Sequence, residues 1–329
     1  MRAVQITAPG QSTILDIPKP EPRLGEVLVR TTQVSLCGSD THSFLFGAPE
    51  QYPLRPGMSG HEVLGIVEEI NAPGSSLLVG DHALVLVTNN QGMAEYAVAP
   101  IENVLPLANT RPAEHLLQAQ QLGTIFYAAQ HLPNVVNKDV AVIGQGSAGL
   151  WWNFVMRRMG ARRVIAVDLQ AHRLAIAGHF GATHTIHNLH SDAVEQLEAL
   201  TDGTLADVVI EAAGEPDSIN LAIDLVKRYG WLFYFGVPRA HVMSFRMLDF
   251  FRKNPSVKSM VGALQDPGHS CTRMALELIA NGEANVGPMI THHIPFEQVQ
   301  EAYELQYTRD EGAVKIVVDM PGLATLNGR

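Results

Sequence analysis

The spacing of apolar residues changes part of the way along this chain. Up to residue 110 they form short runs between glycine and proline turns, at 25–30, 63–67, 83–87 and 94–99. Short strands joined by such turns predict a barrel-like, β-rich unit. From residue 140 onwards, apolar strand segments alternate with amphipathic helical segments, which predicts a parallel sheet with helices on both faces.

The clearest pattern lies between residues 140 and 168. Apolar residues predict a buried strand at 140–143, a helix follows as far as Gly160, and a second strand at 164–167 leads into Asp168. The loop between the first strand and the helix has the Gly-x-Gly-x-x-Gly spacing of a dinucleotide phosphate loop. Its backbone N–H groups and the helix dipole can bind a pyrophosphate. A glycine-rich turn in another βαβ unit is the alternative, and the order strand, loop, helix, strand, acid argues against it.

Asp168 also indicates which cofactor is bound. Its carboxylate can accept hydrogen bonds from a ribose diol and repels a 2′-phosphate, so NAD is favoured over NADP. Arg173 lies shortly after it and keeps NADP as the less favoured alternative. Turns after the strands predicted at 206–211 and 231–236 should complete the site, because ligands bind beyond the carboxyl ends of parallel strands. The residues predicted to contact the cofactor are Gly144, Gly146, Ser147, Ala148, Gly149, Asp168, Arg173, Ala213, Gly236 and Val237.

The remaining segments predict how the chain is divided. Further helices are expected at 112–129, 218–228, 272–279 and 296–305, and further strands at 290–295 and 313–318. We read the last segment as returning to the first unit. The prediction is an α/β protein with a β-rich catalytic domain, at 1–120 and 266–329, and an inserted, doubly wound Rossmann domain at 121–265. The active site is expected between the two domains.

Composition and charge narrow the possible partners. The formal net charge is −10 and no basic cluster is present, which argues against binding to nucleic acid or to an anionic membrane surface. Two cysteines are too few for a disulfide framework, so a reducing compartment, the cytoplasm, is expected. The first six residues are typical of a strand and not of a signal peptide. No apolar run is long enough to span a bilayer.

Three residues of different types form a candidate metal site. Cys37, His61 and Glu62 carry side chains that can each bind Zn²⁺, and three protein ligands leave a position open for an alcohol or water, as in catalytic zinc sites. Asp40 could orient the His61 ring through a hydrogen bond. Neighbouring residues of a strand point to opposite faces, so His61 and Glu62 can ligate one ion only if the backbone bends there.

These motifs resemble those of the zinc-containing medium-chain alcohol dehydrogenases, in the branch similar to sorbitol and threonine dehydrogenases. The resemblance covers nearly the whole chain and is carried by residues 25–29, 37–40, 60–62, 79–81, 92–96, 144–149, 168 and 235–238. It implies a GroES-like catalytic domain with an inserted Rossmann domain. It also implies NAD(P)-linked oxidation of a polyol or small secondary alcohol, and a homodimer or homotetramer.

The resemblance assigns roles to individual residues. It implies that Cys37 and His61 bind zinc, that Glu62 binds the metal directly or through a water, and that Asp40 supports the site. Ser39 is expected to hydrogen-bond the substrate oxygen. His42 is expected to end a proton relay that passes through the cofactor ribose, with an ordinary pKa suited to proton exchange near neutral pH.

Two departures from the family pattern affect the metal prediction. The cysteine-rich segment that binds a structural zinc in many relatives is missing, so one catalytic zinc and no structural zinc are expected. Relatives place Glu, Asp or Cys as a further zinc ligand on the helix before the nucleotide domain, and alignment puts Gln120 there. A neutral amide is a poorer zinc ligand than a carboxylate. A zinc-free quinone or enoyl reductase that uses NAD(P)H, and a non-catalytic nucleotide-binding protein, therefore stand as alternatives.

Overall fold

A computed structural model describes residues 1–108, 110–260 and 262–322 of the chain. The chain forms two compact units. The first comprises Met1–Gly123 and the chain from Ala263 onwards, and the second comprises Thr124–Gly262. Within the described residues, no helix combines the length and apolar character needed to cross a bilayer.

The first unit is built mainly on antiparallel strands. In chain order its first part contains β1 (Arg2–Ala8), β2 (Gln11–Asp16), β3 (Glu26–Ser35), β4 (Glu62–Asn71), β5 (His82–Leu86), β6 (Tyr96–Pro100), β7 (Val104–Pro106), α1 (Ala113–Leu117) and the beginning of α2 (Ala119–Ala129), which continues into the second unit. A π-helical turn, Asp40–Leu45, follows β3. Short 3₁₀ turns lie at Pro49–Gln51 and Ile101–Asn103.

The second unit alternates strand and helix throughout. Its elements are β8 (Asp139–Ile143), α3 (Ser147–Arg158), β9 (Arg163–Asp168), α4 (Ala171–Ala177), β10 (His184–His187), α5 (Ala193–Leu200), β11 (Ala206–Glu211), α6 (Pro216–Leu225), β12 (Val226–Tyr234), α7 (Met247–Lys253) and β13 (Ser256–Ser259). The strands form one parallel sheet in the order β10-β9-β8-β11-β12-β13. This sheet with its helices confirms the α/β prediction.

The chain then completes the first unit. Its last described elements are α8 (Ser270–Ala280), β14 (Ile290–Pro295), α9 (Val299–Thr308) and β15 (Lys315–Asp319). The sheet of this unit has the order β14-β15-β3-β4-β5-β7, with β6 also paired to β3. β15 lies antiparallel to β3, with Val317 opposite Ser35. Residues from the two ends of the chain therefore share one core, which includes Val34, Val63 and Ile316.

Each unit buries its own apolar faces. In the second unit Trp151 and Trp152 of α3 are fully buried, and the Trp152 ring lies edge-on to Phe233 of β12 at 5.5 Å between centroids. Burying an aromatic side chain of this size stabilises a fold by about 2–3 kcal/mol. The helix after the phosphate loop is therefore fixed to the sheet by packing.

One predicted helix boundary is wrong. The helix expected at 218–228 ends at Leu225, and β12 begins at Val226. Val226 is fully buried and pairs with Ala206, and the next pair is Trp231 with Val208, so β12 carries extra residues as a bulge. Tyr229 adopts a φ of 61° within it. Burial of a β-branched side chain in the sheet outweighs the helical spacing of the polar residues.

Candidate metal centre and dinucleotide loop

Two antiparallel strands bring the candidate metal ligands together. Ser35, the last residue of β3, pairs with Glu62, the first residue of β4. Cys37 follows β3 and His61 precedes β4, so both lie at the same end of the strand pair. One sulfur, nitrogen and oxygen atom from Cys37, His61 and Glu62 lie within 4.8 Å of one another.

The backbone bends just before β4, as ligation of one ion by both His61 and Glu62 requires. Ser59 has a φ of 123° and Gly60 a φ of 81°, so the chain turns sharply just before β4. Because of this bend, His61 and Glu62 do not follow strand alternation and can face one point. A Cβ atom on Gly60 would lie 2.8 Å from a side-chain carbon of Val34, so only glycine fits there.

A buried hydroxyl pair holds the bend in place. The phenol of Tyr303 in α9 hydrogen-bonds the hydroxyl of Ser59, and both residues are fully buried. Burial raises the pKa of Tyr303, so the phenol stays protonated and can donate. Tyr303 was not among the residues predicted from the sequence, because its position in the apolar pattern of a helix marks it only as core.

The Asp40 carboxylate joins the two ligand-bearing loops. Its Oδ2 accepts from the Cys37 backbone N–H at 2.7 Å, and its Oδ1 accepts from the Gly60 backbone N–H at 2.8 Å. Oδ1 also lies 3.6 Å from Nδ1 of His61. With Nδ1 facing Asp40, Nε2 of the His61 ring is left for a metal ion, the arrangement in which a carboxylate orients a metal-binding imidazole.

Contacts among Cys37, His61 and Asp40 shift the pKa values of all three side chains. Burial alone raises the pKa of Cys37, but the hydrogen bond and charge of His61 lower it more, and the net pKa is lowered. Burial opposes the charge on His61, yet Asp40 and Cys37 raise its pKa well above the ordinary value. The pKa of Asp40 is lowered, since the His61 charge and two N–H donors outweigh burial. These contacts therefore favour the thiolate form of Cys37, the form that binds metals.

The Glu62 carboxylate is paired with a buried lysine that the sequence analysis did not identify. Lys315 Nζ lies 2.8 Å from Oε1 and 2.7 Å from Oε2 of Glu62, and both side chains are 0 % exposed. Lys315 is the one charged residue in the apolar run at 313–318, and a single charge within a predicted buried strand is the sequence feature that could have identified it. Its charge compensates Glu62 before any cation binds.

The Gln121 amide contacts the Cys37 sulfur. Its Nε2 lies 3.9 Å from the Cys37 sulfur, and its Oε1 is buried without a hydrogen-bond partner. The alignment had placed the neighbouring Gln120 at the ligand position. Consecutive residues of a helix are rotated by about 100° from each other, so the two amides face different directions.

Ser39 and His42 lie on the turn that begins just after Cys37. Ser39 immediately precedes the π-helical turn, and His42 lies within it, half-buried, with its ring centroid 6.0 Å from that of Tyr307. The expected ordinary pKa of His42 is wrong. Burial and the positive charge of Arg309 lower the pKa of His42 to about 4, so its ring is neutral near pH 7.

Replacing His42 by glutamine is expected to change stability only at acidic pH. The unfolded chain protonates His42 near its ordinary pKa of 6.5, whereas the folded chain does so near 4. Between these values the unfolded state binds more protons, so the wild type loses stability as the pH falls. The variant should therefore gain stability relative to the wild type from pH 6.5 down to 4. Urea unfolding at pH 7.5 and pH 5 measures this, and an equal stability difference at both would contradict it.

In the second unit, three loops meet at the carboxyl ends of the parallel strands. A Cβ atom on Gly144 would lie 2.8 Å from the Ala213 Cβ, and one on Gly236 would lie 2.4 Å from the Gly214 nitrogen. α3 begins at Ser147 directly after Gly146. A Cβ atom on Gly149 would lie 1.7 Å from the Gly144 carbonyl oxygen, which excludes any side chain there. The structure thus brings together the predicted loops at 144–149, 213 and 236–237.

Asp168 and Arg173 flank this phosphate loop. Asp168 ends β9, and its carboxylate accepts from the backbone N–H groups of Gln145 at 2.5 Å and Gln170 at 2.7 Å. Arg173 of α4 is buried, and its Nη1 would lie 3.7 Å from a Cβ atom on Gly146. Anionic and cationic groups therefore stand beside the N-terminal end of α3, where ribose and phosphate groups bind in such folds.

Glu211 is a further buried acid in this unit. It ends β11, and its Oε1 accepts from the N–H groups of Ala213 and Gly214 and from the Ser218 hydroxyl, at 2.7–2.8 Å. Burial raises the pKa of Glu211 despite these donors. The carboxylate fixes the turn after β11, which positions the predicted cofactor residue Ala213.

Two known protein families match different parts of this chain. Residues 23–109 match the alcohol dehydrogenase GroES-like domain, and residues 149–281 match the zinc-binding dehydrogenase domain. The candidate metal ligands Cys37, His61 and Glu62 fall in the first match, and most of the helix after the predicted phosphate loop falls in the second. The chain belongs to the zinc-type medium-chain alcohol dehydrogenases, and the resemblance predicted from the sequence motifs is confirmed. Membership implies zinc and a nicotinamide cofactor.

Individual relatives agree with this family along almost the whole chain. An L-threonine 3-dehydrogenase from Pyrococcus horikoshii is 28 % identical over 95 % of this chain and 97 % of its own. An alcohol dehydrogenase from Cupriavidus necator is 26 % identical over 97 % of this chain and 98 % of its own. The structure of alcohol dehydrogenase TADH from Thermus sp. ATN1 superimposes with a TM-score of 0.83 at 24 % identity, covering 97 % of this chain and 99 % of that one. This last similarity shows the shared fold.

Proposed function

We propose that this protein is a zinc-dependent dehydrogenase that transfers a hydride between a polyol or small secondary alcohol and NAD. One observation carries the proposal: donor atoms of Cys37, His61 and Glu62 lie within 4.8 Å of one another in a chain that also has a dinucleotide phosphate loop. The name of a relative supports the substrate class, since the C3 hydroxyl of L-threonine, on which a threonine 3-dehydrogenase acts, is a secondary alcohol.

The donor set fits zinc. Cys37 and the Nε2 atom of His61 would hold the ion, with Glu62 close enough to approach it, and sulfur and imidazole are ligands that zinc prefers. Asp40 fixes the His61 ring and the Cys37 backbone, so the ligands are oriented before an ion arrives. When bound, zinc supplies a Lewis acid that polarises the oxygen of the alcohol or ketone.

Ser39 and His42 handle the proton of the substrate hydroxyl in this proposal. The Ser39 hydroxyl accepts that proton and passes one on towards His42. His42 is neutral near pH 7 and so can accept a proton, and its pKa of about 4 means that it releases the proton readily to solvent. His42 therefore acts as a transient carrier of the proton.

Replacing Ser39 by alanine is expected to lower kcat/KM for alcohol oxidation by about 10²–10⁴, the usual contribution of a positioned proton-transfer group. Zinc content should not change, because Ser39 is not a metal ligand in this proposal. Ser43 lies exposed on the same turn, and Ser43→Ala is the matched control, expected to keep wild-type activity. Initial rates of NADH formation measure both variants. Wild-type turnover in Ser39→Ala would remove Ser39 from the reaction.

NAD is proposed as the cofactor because Asp168 stands beside the phosphate loop. Replacing Asp168 by asparagine keeps the side-chain shape and removes the charge that repels a 2′-phosphate. A charged hydrogen bond is worth about 1.5–3 kcal/mol, so kcat/KM with NAD should fall by roughly tenfold or more, while kcat/KM with NADP rises. Steady-state kinetics with both cofactors measure this. An unchanged cofactor preference would contradict the proposed role of Asp168.

A substrate screen tests the proposed reaction. NADH absorbance is followed with polyols, secondary alcohols and primary alcohols, and metal content is measured on the same protein sample. We expect turnover of polyols or small secondary alcohols, with about one zinc per chain. Turnover of quinones or enoyl substrates by metal-free protein would favour the zinc-free reductase instead. NAD binding without any turnover would favour a non-catalytic protein.

The proposal extends to partners and location. A small alcohol or ketone is the expected partner, and the net charge of −10 supports this over nucleic acid. We further propose a homodimer or homotetramer in the cytoplasm. Light scattering on the purified protein tests the oligomeric state.

A further inference from the structure

The contact between Gln121 and Cys37 is unexplained by the ligand set described so far. Gln121 lies on the first turn of α2 and is 6 % exposed. Its amide nitrogen is 3.9 Å from the Cys37 sulfur, while its amide oxygen is buried and has no hydrogen-bond partner. A buried amide oxygen left without a partner costs about 1–3 kcal/mol, so it is expected to bind a group at this position.

Glu62 leaves a place for another ligand. Oε1 of Glu62 accepts a hydrogen bond from the Lys315 ammonium at 2.8 Å, and Oε2 lies 2.7 Å from the same nitrogen without hydrogen-bond geometry. The ammonium is fully buried, so solvent cannot compensate its charge. If Glu62 gave one oxygen wholly to a cation, the Lys315 charge would lose part of its compensation, which is costly in the interior. The ion pair therefore favours a third ligand that carries no charge.

The distance between the amide and the sulfur suits a shared ion. Sulfur at about 2.3 Å and oxygen at about 2.0–2.2 Å from a tetrahedral zinc lie roughly 3.6 Å from each other. The Gln121 amide is 3.9 Å from the Cys37 sulfur. A half-turn of the amide about its Cγ–Cδ bond exchanges nitrogen and oxygen, so the oxygen can take the position that faces the sulfur.

We infer that the Gln121 amide supplies a neutral oxygen ligand to the metal centre, so that Cys37, His61 and Gln121 hold the ion while Glu62 stays paired with Lys315. This inference rests on the proposed function. It gives the ion and its three ligands a net charge of +1, from Zn²⁺ and one thiolate, while Glu62 and Lys315 beside them cancel each other. A carboxylate in place of Gln121 would reduce that charge to zero and bind the ion more tightly.

The test is the zinc affinity of the full-length protein at pH 7.5, measured by competition with a chromophoric chelator. Gln121→Met keeps the side-chain volume and removes the oxygen, and we expect it to weaken zinc binding about tenfold or more. Gln121→Glu should tighten zinc binding by a similar factor. Gln120→Met and Gln120→Glu make the same changes at the neighbouring helix position and should leave the affinity within about threefold of the wild type.

The visible spectrum of the cobalt(II)-substituted protein gives a second readout. The d–d bands should change in Gln121→Met and stay as in the wild type in Gln120→Met. Wild-type zinc affinity in Gln121→Met, with an unchanged cobalt spectrum, would overturn the inference while leaving the zinc enzyme intact. Weaker zinc binding in Gln121→Glu would also overturn the inference, because it would show that the wild-type Gln121 amide donates an N–H group to the Cys37 sulfur and does not bind the ion. A wild-type protein that binds no zinc would overturn the inference and the proposed function together.

Discussion

Replacing Lys315 by methionine is expected to lower the free energy of unfolding by about 3–5 kcal/mol. Lys315 and Glu62 are both 0 % exposed, and the ammonium is within 2.8 Å of both carboxylate oxygens. Methionine fills nearly the same space but leaves the Glu62 carboxylate buried without its cation. Breaking a buried ion pair in this way is much more damaging than losing a surface pair, which contributes about 0–1 kcal/mol.

Chemical denaturation of metal-free protein measures this effect. The double variant Glu62→Gln/Lys315→Met should recover much of the loss, because it removes the stranded charge as well. Lys258→Met is the control for a half-buried lysine outside the first unit, and it should change stability by less than about 0.5 kcal/mol. A loss below about 1 kcal/mol in Lys315→Met, or no recovery in the double variant, would show that the pair does not stabilise the unit in this way.

Replacing Asp40 by asparagine is expected to weaken zinc binding by about 10- to 100-fold. The Asp40 carboxylate accepts from two backbone N–H groups, one beside each ligand-bearing loop, and lies beside Nδ1 of His61. Asparagine has one oxygen acceptor, so its amide NH₂ must face either a backbone N–H or the His61 ring. The Cys37 and His61 loops would then lose a shared anchor, and the imidazole would lose the anion that orients it.

Equilibrium competition with a chelator measures the affinity of Asp40→Asn. Asp319→Asn removes another carboxylate near a histidine, His293, and should bind zinc as the wild type does. Thermal unfolding of the metal-free variants separates lost affinity from lost folding. Zinc affinity in Asp40→Asn within about threefold of the wild type would show that Asp40 does not position the ligands.

The phosphate loop and two of the candidate metal ligands could be predicted from local sequence patterns. The phosphate loop, the helix after it and Asp168 lie close together in the sequence. Once the strands and the helix form, this short spacing brings them to one end of the sheet. Cys37 and His61 were recognisable because few other residue types bind zinc. Ligation of one ion by both His61 and Glu62 requires a bend in the backbone, but only the structure shows that Ser59 and Gly60 provide it.

The residues that were missed act through long-range contacts. Lys315 reaches Glu62 because β15 pairs with β3, far away in sequence, and Tyr303 reaches Ser59 from α9. The spacing of residues within one segment does not reveal a contact between residues so far apart in the sequence. The contact between Gln121 and the Cys37 sulfur depends on how α2 is turned, because consecutive helical side chains are rotated by about 100° from each other. The lowered pKa of His42 depends on burial beside Arg309, which the sequence does not reveal.

Zinc titration of the metal-free enzyme tests the central claim most directly. Protein stripped with a chelator is titrated with zinc, and the rate of NAD reduction by an oxidisable alcohol is followed in the wild type and in Cys37→Ser. We expect the rate to rise from near zero and to saturate at about one zinc per chain in the wild type, with no rise in Cys37→Ser at the same zinc concentrations. Full turnover of the metal-free wild type, or equal zinc activation of Cys37→Ser, would contradict a zinc centre built on Cys37.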